Sequence, residues 1–241
     1  MLKKPSKIIC MIPARLGSQR VKLKNLRLIN GKPLIQFVID KVKKCNLFDD
    51  IYINSESEVF RDIANKNSIK FYKRDKKFSS NTSTNDEFAL DFIKNTNGNI
   101  LVQVLPTSPL ISTSEITSFV EYFIKKKLKT LISVSNHQIA SLYKKKPINF
   151  NLLKKNPPSQ KMTPIQSYAT VLMAWEYIDF MHNMNKYQSA YHGGLGKKDY
   201  FALSPLACID IDEEEDFLLV EKILLSQNIK NRKARYYKKK I

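Results

Sequence analysis

A mostly parallel, doubly wound α/β sheet is the fold class this sequence predicts, and three observations predict it. Short apolar runs alternate with segments of helical period through the first 135 residues. The apolar runs are nearly continuous, as strands buried on both faces require. Ser/Thr-x-x-Glu signatures recur where helices should start. The 241 residues are 43% hydrophobic, enough for one core, so we expect a single domain over 1–241. A small β-rich excursion at 136–167 and a basic tail at 228–241 stand apart from that pattern.

Lys7–Ile12 reads as the first strand, and a polar, basic loop follows it. Leu34, Val38, Val42 and Cys45 recur at helical spacing after Pro33, a favourable first-turn residue. Ile51-Tyr52-Ile53 is the second strand; Ser55-x-x-Glu58 predicts a capping box opening a helix through Phe60, Ile63 and Ala64. Ile69–Tyr72 is a third strand, and Thr84-x-x-Glu87 opens a helix through Phe88, Phe92 and Ile93. Ile100–Leu105 is a strand, Ser112-x-x-Glu115 caps a helix through Ile116, Phe119, Val120 and Phe123, and Leu131–Val134 is a strand again. Between Asn136 and Ser167 the pattern breaks: Lys144-Lys145-Lys146-Pro147 and Asn156-Pro157-Pro158 are loop chemistry between short β-like pieces, an arm suited to packing on another subunit. Tyr168–Ala174 then predicts a strand, Trp175–Met181 a short helix, Ala207–Ile211 a final core strand and Asp216–Leu225 the closing helix.

Charge excludes less than it suggests. With 41 Lys+Arg against 22 Asp+Glu the net charge is +19, which invites a nucleic-acid reading. Only seven of the basic residues are Arg, however, and Arg is the better fork for phosphates and base edges. Seven basic residues lie between Lys230 and Lys240, a block of the kind that is commonly solvated. With no RNA-binding aromatic signature and no zinc-finger spacing, we expect no nucleic-acid partner. No apolar stretch approaches the ~18 residues of a membrane span, and Ile8–Ile12 is too short for a secretory core. Cys10, Cys45 and Cys208 are odd in number and far apart, so the expectation is a reduced, cytoplasmic, soluble protein.

The informative segment is Pro13-Ala14-Arg15-Leu16-Gly17-Ser18-Gln19-Arg20-Val21-Lys22-Leu23-Lys24-Asn25-Leu26, at the carboxyl end of the first strand, where open α/β sheets place ligands. Arg15, Arg20, Lys22 and Lys24 repel one another unless an anion joins them, and Arg forks suit phosphate oxygens. The Walker A pattern is absent. The plainer reading is a solvated loop in a Lys-rich chain; two of only seven arginines within six residues weigh against it. Near the other end, Asp210 and Asp212 are two apart, so on a strand both carboxylates face one side. Two carboxylates plus phosphates and waters are the usual way to hold Mg²⁺, whereas the plainer reading makes Asp212 a helix cap. His137, His182 and His192 share no ligand spacing and are expected to be structural or exposed; Trp175 is expected to pack or to join an interface.

These residues resemble a known family. Ile12-Pro13-Ala14-Arg15-Leu16-Gly17-Ser18-x-Arg20 with Lys24-Asn25, then Gly31-Lys32-Pro33-Leu34-Ile35, resembles the N-terminal signature of the CMP-sugar synthetases, the acylneuraminate cytidylyltransferases and their relatives. The resemblance continues through Ile53–Glu58, Arg74 with Ser80–Asn85, Pro106-Thr107-Ser108-Pro109-Leu110, and Ile209–Phe217. The Kdo-sugar synthetases share the first loop but carry Gln-Gly-Asp-Glu-Pro where this chain has Pro-Thr-Ser-Pro. The resemblance implies a Rossmann-like nucleotidyltransferase fold, CTP and an acidic, nonulosonate-type sugar as substrates, Mg²⁺ or Mn²⁺ as cofactor, and a homodimer joined through the excursion. It implies nucleotide contacts for Ala14, Arg15, Ser18, Gln19, Arg20, Lys24 and Asn25, with Arg74 and Asn85 near the cytidine. Arg15, Arg20, Lys24 and Asp212 then carry the catalysis, and Asp210 with Asp212 hold the metal. Departures fall on the sugar side: Leu105 stands for a Gln, Ile111 for an Arg, and Tyr168-Ala169-Thr170 for Asn-Gly-Ala, exchanges that change ligand preference or abolish activity. Two other readings stay open at this point. One is a nucleotidyltransferase for another nucleotide or acceptor; the other is a non-catalytic nucleotide- or polyanion-binding homologue.

Overall fold

In the computed structural model, which describes residues 6–226, β1 (Ile8–Pro13) is an inner strand of the sheet, five of its six residues being buried. A basic loop leads to β2 (Leu28–Ile29) and β3 (Lys32–Pro33), a hairpin turned by Asn30-Gly31 with φ of 50° and 74°. That is the geometry an Asn-Gly pair adopts most cheaply. Then come α1 (Leu34–Lys44), β4 (Asp50–Ser55), α2 (Val59–Lys66), β5 (Lys70–Lys73), α3 (Asn85–Asn95), β6 (Ile100–Val104), α4 (Thr113–Lys126) and β7 (Thr130–His137). The short hairpin β8 (Leu142–Tyr143) and β9 (Lys146–Pro147) lies within the excursion, followed by β10 (Ile165–Glu176), α5 (Tyr177–Tyr187), β11 (Lys198–Ala202) and α6 (Glu214–Ser226).

Seven strands form one sheet in the order β11-β7-β10-β6-β1-β4-β5. All run parallel except β10, which pairs antiparallel with both β6 and β7. Helices α1, α2 and α4 bury Ile35, Val38, Phe60, Phe119 and Phe123 against one face of the sheet. On the other face α3 and α5 bury Phe92, Ile93 and Phe180 around Trp175. A third cluster, with Val21, Leu34, Ile211 and Phe217, fastens α6 to the loop after β1. The chain leaves β1 toward β4 and β5, then returns to β6 on the opposite side. The strand order therefore reverses between β1 and β6, the place where such sheets open a crevice.

Several expectations need correction. The boxes at Thr84 and Ser112 form with both reciprocal bonds, but Ser55-x-x-Glu58 does not: α2 starts at Val59, with Glu58 at the cap position and no side-chain cap. Ser55 instead accepts from the Ser57 N–H at the end of β4. Trp175 belongs to β10, which starts inside the excursion, three residues before the predicted Tyr168 boundary; its indole is 1% exposed and packs in the core. Ala207–Ile211 is no strand. Cys208 and Ile209 bond back to Ser204 and Leu206 in turns, and Ala207 and Ile211 are buried in two different clusters, Ala207 in the main core and Ile211 under α6. The strand that does occupy the edge, β11, alternates exposed and half-buried residues and lacks the continuous apolar run of a central strand. The predicted basic tail, 228–241, lies outside the described residues. No helix among the described residues is long and apolar enough to cross a membrane.

Candidate active site

A crevice of about 400 Å³ opens at the reversal point, walled by the segments that follow β1 and β6. Its lining comes from the loop after β1 (Pro13, Ala14, Arg15, Ser18, Gln19, Arg20, Lys24 and Asn25), from the segment after β6 (Leu105, Pro106 and Thr107), from Arg74 and Phe88, and from Asp210 and Asp212. The first and last informative segments of the sequence therefore meet across almost two hundred positions. Arg20 donates to Asp212 Oδ1 at 2.6 Å and to Glu213 Oε1 at 3.1 Å, and Lys24 donates to the carbonyl of Ile211. Arg27, stacked 3.9 Å above the Phe217 ring and 2.5 Å from Glu214, pins the same loop to the start of α6.

Electrostatics in the crevice is unbalanced. Lys24 is 8% exposed and Arg74 4%. Burial pulls the Lys24 ammonium below its ordinary value and brings the Arg74 guanidinium down to about 10. Arg74 donates to the carbonyls of Ala14 (2.6 Å) and Asn54 (3.2 Å), and its Nε has no partner; Asn25 Oδ1 is likewise buried and unpartnered. Both residues line the crevice, so its walls hold two polar atoms whose hydrogen bonds the protein leaves unmade. At the acidic end, burial above all, with the Asp212 charge adding to it, raises the Asp210 carboxyl. Asp210 accepts from Ser108 Oγ at 3.1 Å.

The plainer reading of Asp212, a helix cap, does not hold. The N–H groups of Asp212 and Glu213 donate to Asp216 Oδ2, leaving the Asp212 carboxylate to Arg20. Nor do Asp210 and Asp212 sit on a strand; the extended segment keeps the alternation all the same, with Ile211 buried between them in the third core cluster. Asp210 and Asp212 are hard oxygen donors, and no group of three or more His, Cys, Asp or Glu residues is gathered to hold a metal among the described residues. Two protein carboxylates with room for phosphate and water oxygens fit Mg²⁺ or Mn²⁺ and suit neither zinc nor a closed calcium cage.

Two sequence-predicted positions fall elsewhere. Asn85 begins α3 with a buried, unpartnered Nδ2 but does not line the crevice. Ile111 is fully buried in the core, so its departure from the family pattern alters packing and faces no ligand. Gly17 has open space where a Cβ would point, so protein packing does not demand glycine there. Leu105 lines the crevice, and Tyr168-Ala169-Thr170 line a second, larger cavity of about 740 Å³ that shares Asp210 and Asp212 with it.

Sequence reasoning missed Glu56. Its Oε1 accepts from the Leu16 N–H at 2.8 Å, its Oε2 from Ser79 Oγ at 3.1 Å, and it lies 3.6 Å from Arg74. One carboxylate thus ties the basic loop to the segment bearing Arg74. The Ser-x-x-Glu spacing drew attention to Glu58 instead. His137, expected to be structural or exposed, lines the second cavity with Nε2 3.0 Å from Ser167 Oγ.

Residues 9–192 match the sequence model of the cytidylyltransferase family. The N-acylneuraminate cytidylyltransferase of Streptococcus agalactiae serotype V is 33% identical over 134 residues, 54% of this chain and 32% of that protein. That of Escherichia coli O18:K1:H7 is 27% identical over a 258-residue alignment, covering 94% of this chain and 56% of the relative. The match thus spans about a third to about half the length of these two proteins. A CMP:2-keto-3-deoxy-manno-octonic acid synthetase solved with CTP superposes with a TM-score of 0.72 at 12% identity, covering 92% of this chain and 100% of that one, a likeness of fold. With most of its length under the family model, the chain belongs to the cytidylyltransferase family.

Proposed function

We propose that this protein transfers CMP from CTP to an acidic, nonulosonate-type sugar and releases pyrophosphate. The observation that carries the reading is the meeting of Arg15, Arg20 and Lys24 with Asp210 and Asp212 around one crevice at the strand-order reversal of a cytidylyltransferase-family chain. The acceptor hydroxyl attacks the α-phosphorus in line, and the bond to the β-phosphate oxygen breaks. Such a reaction needs positioning and charge stabilisation more than a covalent nucleophile. Arg15, Arg20 and Lys24 hold the β- and γ-phosphates and stabilise the departing pyrophosphate; Ala14, Ser18, Gln19 and Asn25 line the nucleotide's path. Arg74, fixed by two carbonyls beside Phe88, faces the base end. Asp210 and Asp212 would hold a divalent cation, which would supply charge to polarise the α-phosphate. The second cavity, open to the same two carboxylates, receives the acceptor.

A CTP-dependent reaction belongs in the cytoplasm, where three unpaired thiols are at home. The excursion leaves Ile139, Leu142, Tyr143, Leu152 and Leu153 more than half exposed, an apolar arm that in our reading closes a homodimer. A monomer in light scattering removes that part. The central test is pyrophosphate release from CTP with a panel of 2-keto acid sugars, with and without Mg²⁺. Activity that depends on Mg²⁺ and is lost in Asp212→Ala supports the reading; full activity in Asp212→Ala rejects the metal role. Thermal-shift ranking of CTP against ATP, GTP and UTP tests nucleotide choice. CTP binding without turnover, or salt-sensitive nucleic-acid binding, favours a non-catalytic homologue instead.

A further inference from the structure

The two carboxylates of the crevice are held in different ways. Asp212 is taken by the Arg20 guanidinium at 2.6 Å, an ion pair between side chains that are each more than half exposed. Asp210, which lines both cavities, accepts from the hydroxyl of Ser108 at 3.1 Å, and Ser108 has no exposed surface. The difference matters to a cation. A guanidinium meets a carboxylate's charge in the act of positioning it, whereas a neutral hydroxyl positions the carboxylate and leaves its charge for a ligand.

The backbone around Ser108 is set by its neighbours. Pro106 and Pro109 fix their own φ, and Pro109 confines Ser108 to extended conformations. Three consecutive residues of this segment then bond to three separate partners. The Thr107 carbonyl accepts from the Ile211 N–H at 2.9 Å, the Ser108 hydroxyl donates to Asp210, and the Pro109 carbonyl accepts from the Lys41 ammonium on α1. The Ile211 carbonyl in turn accepts from Lys24. The stretch from Asp210 to Asp212 is thus clasped at its midpoint between the segment after β6 and the basic loop, with Ile211 sunk in the third core cluster.

A clasped backbone does not by itself set a side chain. An aspartate still turns about two side-chain bonds, and Asp210 borders two cavities into which its carboxylate has room to swing. Ser108 turns about one such bond and is buried, so its hydroxyl selects a single setting. Oδ1 is committed to Ser108, and Oδ2 is left for another partner.

We infer that Ser108 is a positioning residue, its hydroxyl setting the Asp210 carboxylate for the divalent cation that Asp210 and Asp212 would hold. This rests on the transferase reading above and deepens it, adding a residue that acts through Asp210 and from the far side of it.

The test measures cation binding directly. Mn²⁺ serves as the probe, because its effect on water-proton relaxation reports binding without turnover, and it is titrated into protein alone and into protein with CTP but no acceptor. Wild type is expected to bind Mn²⁺, and Ser108→Ala to weaken that binding about 10–100-fold, as the loss of a hydrogen bond to a ligating carboxylate does elsewhere. With Mg²⁺ in the assay, the Mg²⁺ concentration for half-maximal rate should rise by a similar factor, and rate should recover at high Mg²⁺. Binding of CTP in EDTA, read by thermal shift, should stay within about twofold. Ser108→Thr keeps the hydroxyl and is expected to stay within about threefold of wild type for Mn²⁺. A merely structural Ser108 lowers Tm equally with and without Mn²⁺ and leaves the Mn²⁺ affinity in place; that result overturns the inference. So does a wild type that binds no Mn²⁺ with or without CTP, or a folded Ser108→Thr that loses as much affinity as Ser108→Ala. A wild type that binds Mn²⁺ in this Ser108-dependent way but forms no CMP-sugar strikes the transferase reading and leaves Ser108 in its role.

Discussion

Replacing Glu56 tests whether the basic loop is held or merely solvated. Its carboxylate accepts the Leu16 N–H at 2.8 Å and Ser79 Oγ at 3.1 Å, and it is the anion beside Arg74, which is 4% exposed. Glu56→Ala removes two hydrogen bonds to a charged group, about 1.5–3 kcal/mol each taken alone, and takes the nearest carboxylate away from a buried guanidinium. Because these effects overlap, we expect about 3 kcal/mol of destabilisation in total. For a chain of this length that is a fall in Tm of about 6–12 °C. Glu56→Gln keeps an acceptor for Leu16 and should cost about 1 kcal/mol. Since Leu16 lies between Arg15 and Ser18, the loop that loses its anchor should raise the CTP KM about tenfold in Glu56→Ala and leave the acceptor KM in place. Urea unfolding with initial rates across CTP concentrations reads both effects. A Glu56→Ala protein with wild-type Tm and wild-type CTP KM refutes the tie between the two segments.

Other expectations follow from the same structure. Arg20→Ala should leave Tm within about 1 °C, because Arg20 and Asp212 are both more than half exposed, yet raise the CTP KM about 10–100-fold; a large Tm loss marks the pair as structural instead. Gly98→Ala places a methyl 2.5 Å from Ile9 Cγ1 and 2.8 Å from the Tyr177 ring, and should destabilise by about 1–3 kcal/mol with the CTP KM unchanged. Lys41, whose ammonium donates to the Pro109 carbonyl, is brought down to about 8, by burial above all. Between pH 8 and 10.5 the unfolded chain binds the extra proton, so stability contributed by this group rises with pH across that window. Relative to Lys41→Met, the wild type should gain about 2–3 kcal/mol from pH 7 to pH 10 in urea melts. Equal pH slopes for the two proteins contradict the assignment.

How much was legible depended on whether the signal was local. The capping boxes at Thr84 and Ser112 were readable because three residues decide them, while Ser55-x-x-Glu58 failed because Ser55 ends a strand and its hydroxyl accepts from Ser57. The basic loop announced itself by concentrating arginine where a buried strand ends. Glu56 was silent, since its worth lies in partners 18–40 positions away that no spacing rule links. Ala207–Ile211 misled because apolar residues buried from a series of turns and apolar residues that build a strand look alike in one dimension.

The linear chain fixed the alternation of buried strands and amphipathic helices, the sheet class and the cationic turn after β1, because burial period and charge are local properties. Only three-dimensional packing decided that β10 runs antiparallel, that an odd excess of residues interrupts its register beside Tyr168, and that Asp210 and Asp212 join the basic loop in lining one crevice. Those outcomes depend on which distant segments come to lie side by side, and the period of a single segment holds no record of its neighbours.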